Sequence, residues 1–154
     1  WDYDVKYPGL NYRLSDINSS LGISQLRKLD KFVIKRVEIA KIYSDFLKNL
    51  NNILLPKVNK NIYSSWHLYI VSINFSKIKK NKKQLINFFL KNKIRVQQHY
   101  IPINKFSYYK KKIRGKFPNS ELYYKNSLSL PIHVSCSKQD VKKVCNYLLK
   151  FIKK

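Results

Sequence analysis

The chain has 154 residues, 44% of them hydrophobic, with 12 Tyr and 8 Phe, so it is built to bury a core and is not a disordered polymer. It carries 32 Lys and Arg against 8 Asp and Glu, a formal charge of +24 that draws anions at low salt. No apolar run approaches the roughly 18 residues that a membrane-spanning helix needs, and no signal peptide opens the sequence, so a cytoplasmic protein without membrane contact is expected.

The charge has two readings. A nucleic-acid surface is one. The other is drift of solvated positions, because the excess is mostly Lys and comes with many Asn and Ile, the residues of A/T-rich codons. The densest run, Lys77 to Lys83, has no interleaved aromatic to stack on bases, which favours drift over a specific nucleic-acid site. Trp1 stands first and Met is absent, so the chain reads as a piece of something longer. Cys136 and Cys145 have no CxxC partner and read as reduced thiols.

In chain order, residues 1–14 are irregular, with a Pro8-Gly9 turn followed by Asn11. Ser15 is a good N-cap and Asp16 sits in the first turn of a helix expected to run to about Leu50. Gly22, Leu26, Leu29, Val33, Val37, Ala40, Tyr43, Leu47 and Leu50 recur every three or four residues. That spacing marks one buried face of a helix, or of two nearly collinear helices. An element that long outruns a domain of this size and is expected to bridge two domains or two subunits.

Ile53-Leu54-Leu55 reads as a short strand closed by Pro56, and residues 59–65 as a polar loop. Residues 66–74 form the best strand pattern of the chain, rich in aromatic and β-branched side chains. An amphipathic helix follows over 82–92, then a strand over 94–97 leading to Gln98-His99-Tyr100 and Pro102. Residues 106–112 form an aromatic, basic turn or short helix, 120–127 a helical segment, and 128–131 a third strand ending at Pro131. Ser137, with Asp140 three residues on, caps a final helix whose Val141, Val144, Cys145, Leu148 and Ile152 face inward. The order predicts an α/β fold: a short, mostly antiparallel sheet packed with helices.

Little chemistry is legible from residue types alone. There is no Gly-rich phosphate loop and no metal-ligand spacing. Asn11 and Arg13 are donors on a loop, suited to a phosphate or carboxylate, though a turn Asn and a surface Arg explain them as well. His99 stands at a strand end before a proline, where sites in α/β domains gather. His67 reads as structural, and His133 as a loop residue.

The run GLNYRLSDI over 9–17, followed by LGISQL over 21–26 and a basic helix, resembles the hallmark segment of the DegT/DnrJ/EryC1/StrS sugar-nucleotide aminotransferases. SSWHLYIV (64–71), HYIP (99–102), FPNSELYYKNSLSLP (117–131) and SKQDVKKV (137–144) match the same family in register, most closely its pseudaminic-acid branch. The resemblance implies the C-terminal portion of a fold-type I, pyridoxal-phosphate-dependent transaminase. Residues 1–50 would be the end of the large domain with a cofactor-contacting loop and bridging helix, and 51–154 the small C-terminal domain. It implies a homodimer that takes glutamate and a UDP-linked 4-keto-6-deoxy sugar. Asn11 would reach the cofactor phosphate of the neighbouring subunit, with Arg13 beside it. Tyr12, Gln98, His99 and Tyr100 would line the substrate side. The family's cofactor-bonding lysine lies upstream of the Gly-x-Asn-Tyr-Arg segment, and no lysine here matches its motif, so the isolated chain is expected to be inactive. A non-catalytic remnant or dimerisation module and a basic nucleic-acid-binding domain are the competing classes.

Overall fold

The computed structural model describes Tyr7, Gly9, Leu10 and residues 12–153; Asn11 lies outside the described residues. The chain builds α1 (Asp16–Leu26), α2 (Leu29–Leu47), β1 (Ile53–Leu54), β2 (Tyr69–Ile73), α3 (Lys82–Lys91), a 3-10 turn (Ile103–Lys105), α4 (Ser107–Lys110), α5 (Pro118–Asn126), β3 (Ser127–Leu130) and α6 (Lys138–Lys153). The strands form one antiparallel sheet in the order β1-β2-β3.

Alternation along the strands divides the sheet into two faces. Tyr69, Val71 and Ile73 of β2 stand opposite Leu130, Leu128 and, on β1, Ile53. These residues join Ile39, Ala40, Tyr43 and Leu47 of α2 and Val141, Val144, Cys145 and Leu148 of α6 in one core, with Leu85 and Phe89 added by α3. The other face is polar. Ser127 and Ser129 are buried there, and Leu54, Ser72, Leu122 and Tyr123 line a cavity of about 840 Å³ between this face and α5.

The long helical stretch takes the second of its two readings, two helices, interrupted at Arg27-Lys28, where the Lys28 amide donates to the Gln25 carbonyl at 3.0 Å and so closes a tighter turn. Three expectations change. The stripe is buried only in its second half. Val33, Ala40, Tyr43 and Leu47 are covered, whereas Gly22, Leu26 and Leu29 are exposed, and α1 buries no residue. The strand expected over 94–97 is a single bridge, Gln97 to Ser129. At the end of α6, Phe151 fills the inward position and Ile152 is half-buried.

The capping of α6 follows the sequence closely. The Asp140 amide donates to Ser137 Oγ at 3.1 Å, and the Ser137 amide and hydroxyl donate to Asp140 Oδ2 at 2.9 and 2.7 Å. The Ser137 hydroxyl, its amide and nearby Lys143 hold the Asp140 carboxyl below its ordinary range. A carboxyl lowered in the folded state stabilises above its unfolded pKa, and that contribution is lost as pH falls through the folded value. Asp140→Ala is therefore expected to melt below the parent at neutral pH, and the gap to close in acid. A gap of constant size across a thermal-melt pH series would contradict this.

Candidate anion-binding cleft

Four pieces of backbone meet where β2 begins and β3 ends. Trp66, with φ 49°, turns the chain into β2, a left-handed conformation uncommon for so bulky a residue. Its ring lies 5.5 Å from that of Tyr69, which fixes the entry of the strand. The antiparallel pairing of Tyr69 with Leu130, continued two residues outward, brings His67 beside Ile132 and His133.

The third piece leaves α3. Lys93 adopts φ 59° and donates to the Leu90 carbonyl, while the Ile94 amide donates to that of Phe89 at 2.9 Å. This is a Schellman ending, closed by apolar Ile94 near Phe89 in the core. It aims residues 95–99 along the edge of β3, where Gln97 and Ser129 exchange backbone hydrogen bonds of 3.3 and 2.9 Å. The fourth piece is α2. Tyr43 donates from its hydroxyl to the Pro131 carbonyl at 2.8 Å and stacks on Tyr69 with ring centroids 5.0 Å apart. Burial pushes the Tyr43 phenol far above its ordinary pKa, so it stays a neutral donor. Arg36 lies two turns before Tyr43 on the same side of α2.

Together they enclose a cleft of about 440 Å³ lined by Arg36, His67, Arg95, His99, Ser129 and His133, among others, with no carboxylate in the lining. All of the chain's histidines gather there. Arg36 Nε, both ring nitrogens of His99 and Ser129 Oγ are buried with no hydrogen-bond partner. Buried polar groups are normally paired, so these atoms have hydrogen-bonding capacity left over for a group that enters the cleft. His133 is tied back, its Nδ1 lying 2.7 Å from Ser135 Oγ. Among the described residues no group of three His, Cys, Asp or Glu is placed to hold a metal ion.

Of the residues singled out in the sequence, His99 and Tyr100 line this cleft. Gln98 does not; its neighbour Gln97 does. Tyr12 and Arg13 are exposed in the loop before α1 and take no part in the lining. His67 does not sit in the core as a structural residue would. It is exposed at the cleft, because the strand begins three residues later than the pattern suggests. Arg36, Arg95, Ser129 and His133 carried no local signal. Only the register of β2 against β3 would have revealed that His67 and His133 approach each other.

A larger cavity of about 880 Å³ carries Lys80, Lys82, Lys83, Lys105 and Lys125. The Lys80 ammonium donates to the Phe151 carbonyl and lies 4.6 Å from that ring's centroid, and Lys82 does the same at Tyr124, at 4.2 Å. Burial lowers the pKa of Lys82. These two lysines hold helix ends and aromatic faces together and are not free for phosphates.

The described fold and the cleft can be set against known proteins. The model of the DegT/DnrJ/EryC1/StrS aminotransferase family matches residues 2–149. The chain belongs to this family. It is 39% identical to the UDP-4-amino-4,6-dideoxy-N-acetyl-beta-L-altrosamine transaminase of Campylobacter jejuni, over 100% of this chain and 41% of that protein. It is 32% identical to the spore coat polysaccharide biosynthesis protein SpsC of Bacillus subtilis, over 99% and 40%. Among solved structures it superposes on Helicobacter pylori PseC, an aminotransferase involved in pseudoaminic acid biosynthesis, with TM-score 0.85 and 29% identity, covering 97% of this chain and 40% of that one. The chain thus spans about 40% of the length of these members of the DegT/DnrJ/EryC1/StrS family. Its α/β fold is that of the C-terminal part of pyridoxal-phosphate aminotransferases of this family.

Proposed function

We propose that the chain is the C-terminal part of a transaminase that moves an amino group from glutamate to a UDP-linked 4-keto-6-deoxy sugar in the cytoplasm, for a surface polysaccharide or flagellin glycan. The observation that carries this reading is the family match over residues 2–149, with 39% identity to a transaminase named for such a sugar. Residues 1–50 would be the end of the large domain, with its bridging helix, and 51–154 the small domain.

Pyridoxal phosphate is the cofactor on this reading, and it supplies an electron sink for amino transfer. The chain offers suitable groups for its phosphate. Arg13 is exposed and has no ion pair among the described residues, and the helix that follows presents its N-terminus under the Ser15 cap. Asn11 and Arg13 would hold the phosphate of the partner subunit's cofactor in a homodimer. Tyr12, Gln98, His99 and Tyr100 would line the path of the sugar nucleotide, with His99 offering its unpaired ring nitrogens for hydrogen bonds. The cofactor-bonding lysine would come from outside these 154 residues.

Complementation tests this. Mixed with the N-terminal portion of the Campylobacter relative, glutamate, cofactor and a UDP-4-keto sugar, the chain is expected to restore amino transfer that neither piece shows alone. Absence of transfer from a mixture shown to form a complex would refute the assignment.

A further inference from the structure

The cleft at the end of the sheet gathers more unpaired hydrogen-bonding capacity than packing alone requires. Arg36 Nε, Ser129 Oγ and both nitrogens of His99 are buried without partners, although they come from α2, β3 and the loop after α3. A buried polar atom left without a partner destabilises the fold. Several that converge on one space are explained by a group that enters it. The lining holds Arg36 and Arg95 and no carboxylate, so the entering group is an anion. A guanidinium edge donates along parallel directions that match two oxygens of a carboxylate or a phosphate. The volume of about 440 Å³ suits a small acid, or one end of a larger ligand.

We infer that this cleft is an oxyanion-binding site in which Arg36 is the principal anchor and Ser129 and His99 supply further hydrogen bonds. On the transaminase reading, on which only the identity of the anion rests, the oxyanion is a carboxylate of the amino donor or the diphosphate of the sugar nucleotide. Arg36 acts by charge and by its Nε–H, and Ser129 by its hydroxyl. Tyr43 and Pro131 form the fixed wall that keeps Arg36 and the loop of His133 in register.

The test uses the whole chain and needs no activity. Amide and histidine NMR shifts are followed on titration with 2-oxoglutarate, UDP and inorganic phosphate at constant, near-physiological ionic strength and mildly alkaline pH, where unperturbed histidines are neutral. Saturable shifts confined to the cleft are expected. Arg36→Met should weaken the tightest of these ligands by roughly tenfold or more. Lys142→Met, which removes one charge from an exposed position of α6, should leave it unchanged. Arg36→Lys keeps the charge without the Nε–H edge and serves if the methionine variant does not fold; it too should bind more weakly. Tighter binding of 2-oxoglutarate identifies the carboxylate as the source, and tighter binding of UDP the phosphate. The inference is overturned if no anion shifts the cleft, if Arg36→Met and Lys142→Met weaken binding equally, or if Arg36→Lys binds as the parent does. Cleft binding together with failed complementation would leave this site standing and remove the transaminase reading.

Discussion

Tyr69→Ala is expected to remove a large part of the protein's stability and to lower its urea midpoint well below the parent's. The ring is fully buried, stacks on Tyr43, touches Trp66 and bonds Ser44 through its hydroxyl at 2.9 Å. Removing so large a side chain costs about 3–5 kcal/mol, against a total stability of about 5–15 kcal/mol for a domain. The loss also opens the start of β2, so the cleft should go with it. Urea titration followed by far-ultraviolet circular dichroism measures the effect. A variant that kept the parent's midpoint would show that α2 is not locked to the sheet through this residue.

Tyr43→Phe should give a smaller but more local loss. It keeps the ring stacked on Tyr69 and deletes only the hydroxyl that meets the Pro131 carbonyl. The expected cost is about 1–2 kcal/mol, because a part-buried acceptor is left without its donor. The loop from Pro131 to His133 loses its tie to α2, so amide exchange should quicken there while α6 stays protected. Uniform loss of protection across the chain would show that the hydroxyl supports global stability and not the wall of the cleft.

How much of this could be read beforehand depended on whether the signal was local. The capping of α6 was legible because Ser137 and Asp140 are three residues apart and satisfy each other. β2 was legible because Tyr69, Val71 and Ile73 alternate with more exposed neighbours. The break at Arg27-Lys28 was not, since neither proline nor glycine marks it and the apolar spacing continues through it. Periodicity reports which face of a helix is apolar, not whether anything covers it. Gly22 and Leu26 keep the spacing on an α1 that buries nothing. Residues 94–97 have strand-like composition, yet pairing depends on a neighbour distant in sequence, and β3 accepts only Gln97.

The cleft was the least legible part. His99 stood out by position, but Arg36, His67, Ser129 and His133 are scattered over nearly a hundred residues and meet only through the β2-β3 register and the Tyr43 tie. The Gly9-to-Arg13 loop is the reverse case. Its sequence points to the family most clearly, while Tyr12 and Arg13 lie exposed, away from the cleft. On the proposed reading that exposure is what a residue reaching into another subunit needs.

On the proposed function this chain supplies one side of a shared cofactor site and not the bonding lysine, and treating it alone with pyridoxal phosphate and borohydride, then mapping the adducts by mass spectrometry, tests that division. Weak labelling spread over exposed lysines, with no amino transfer from glutamate, is expected. Stoichiometric labelling of a single lysine, accompanied by transfer, would contradict that division.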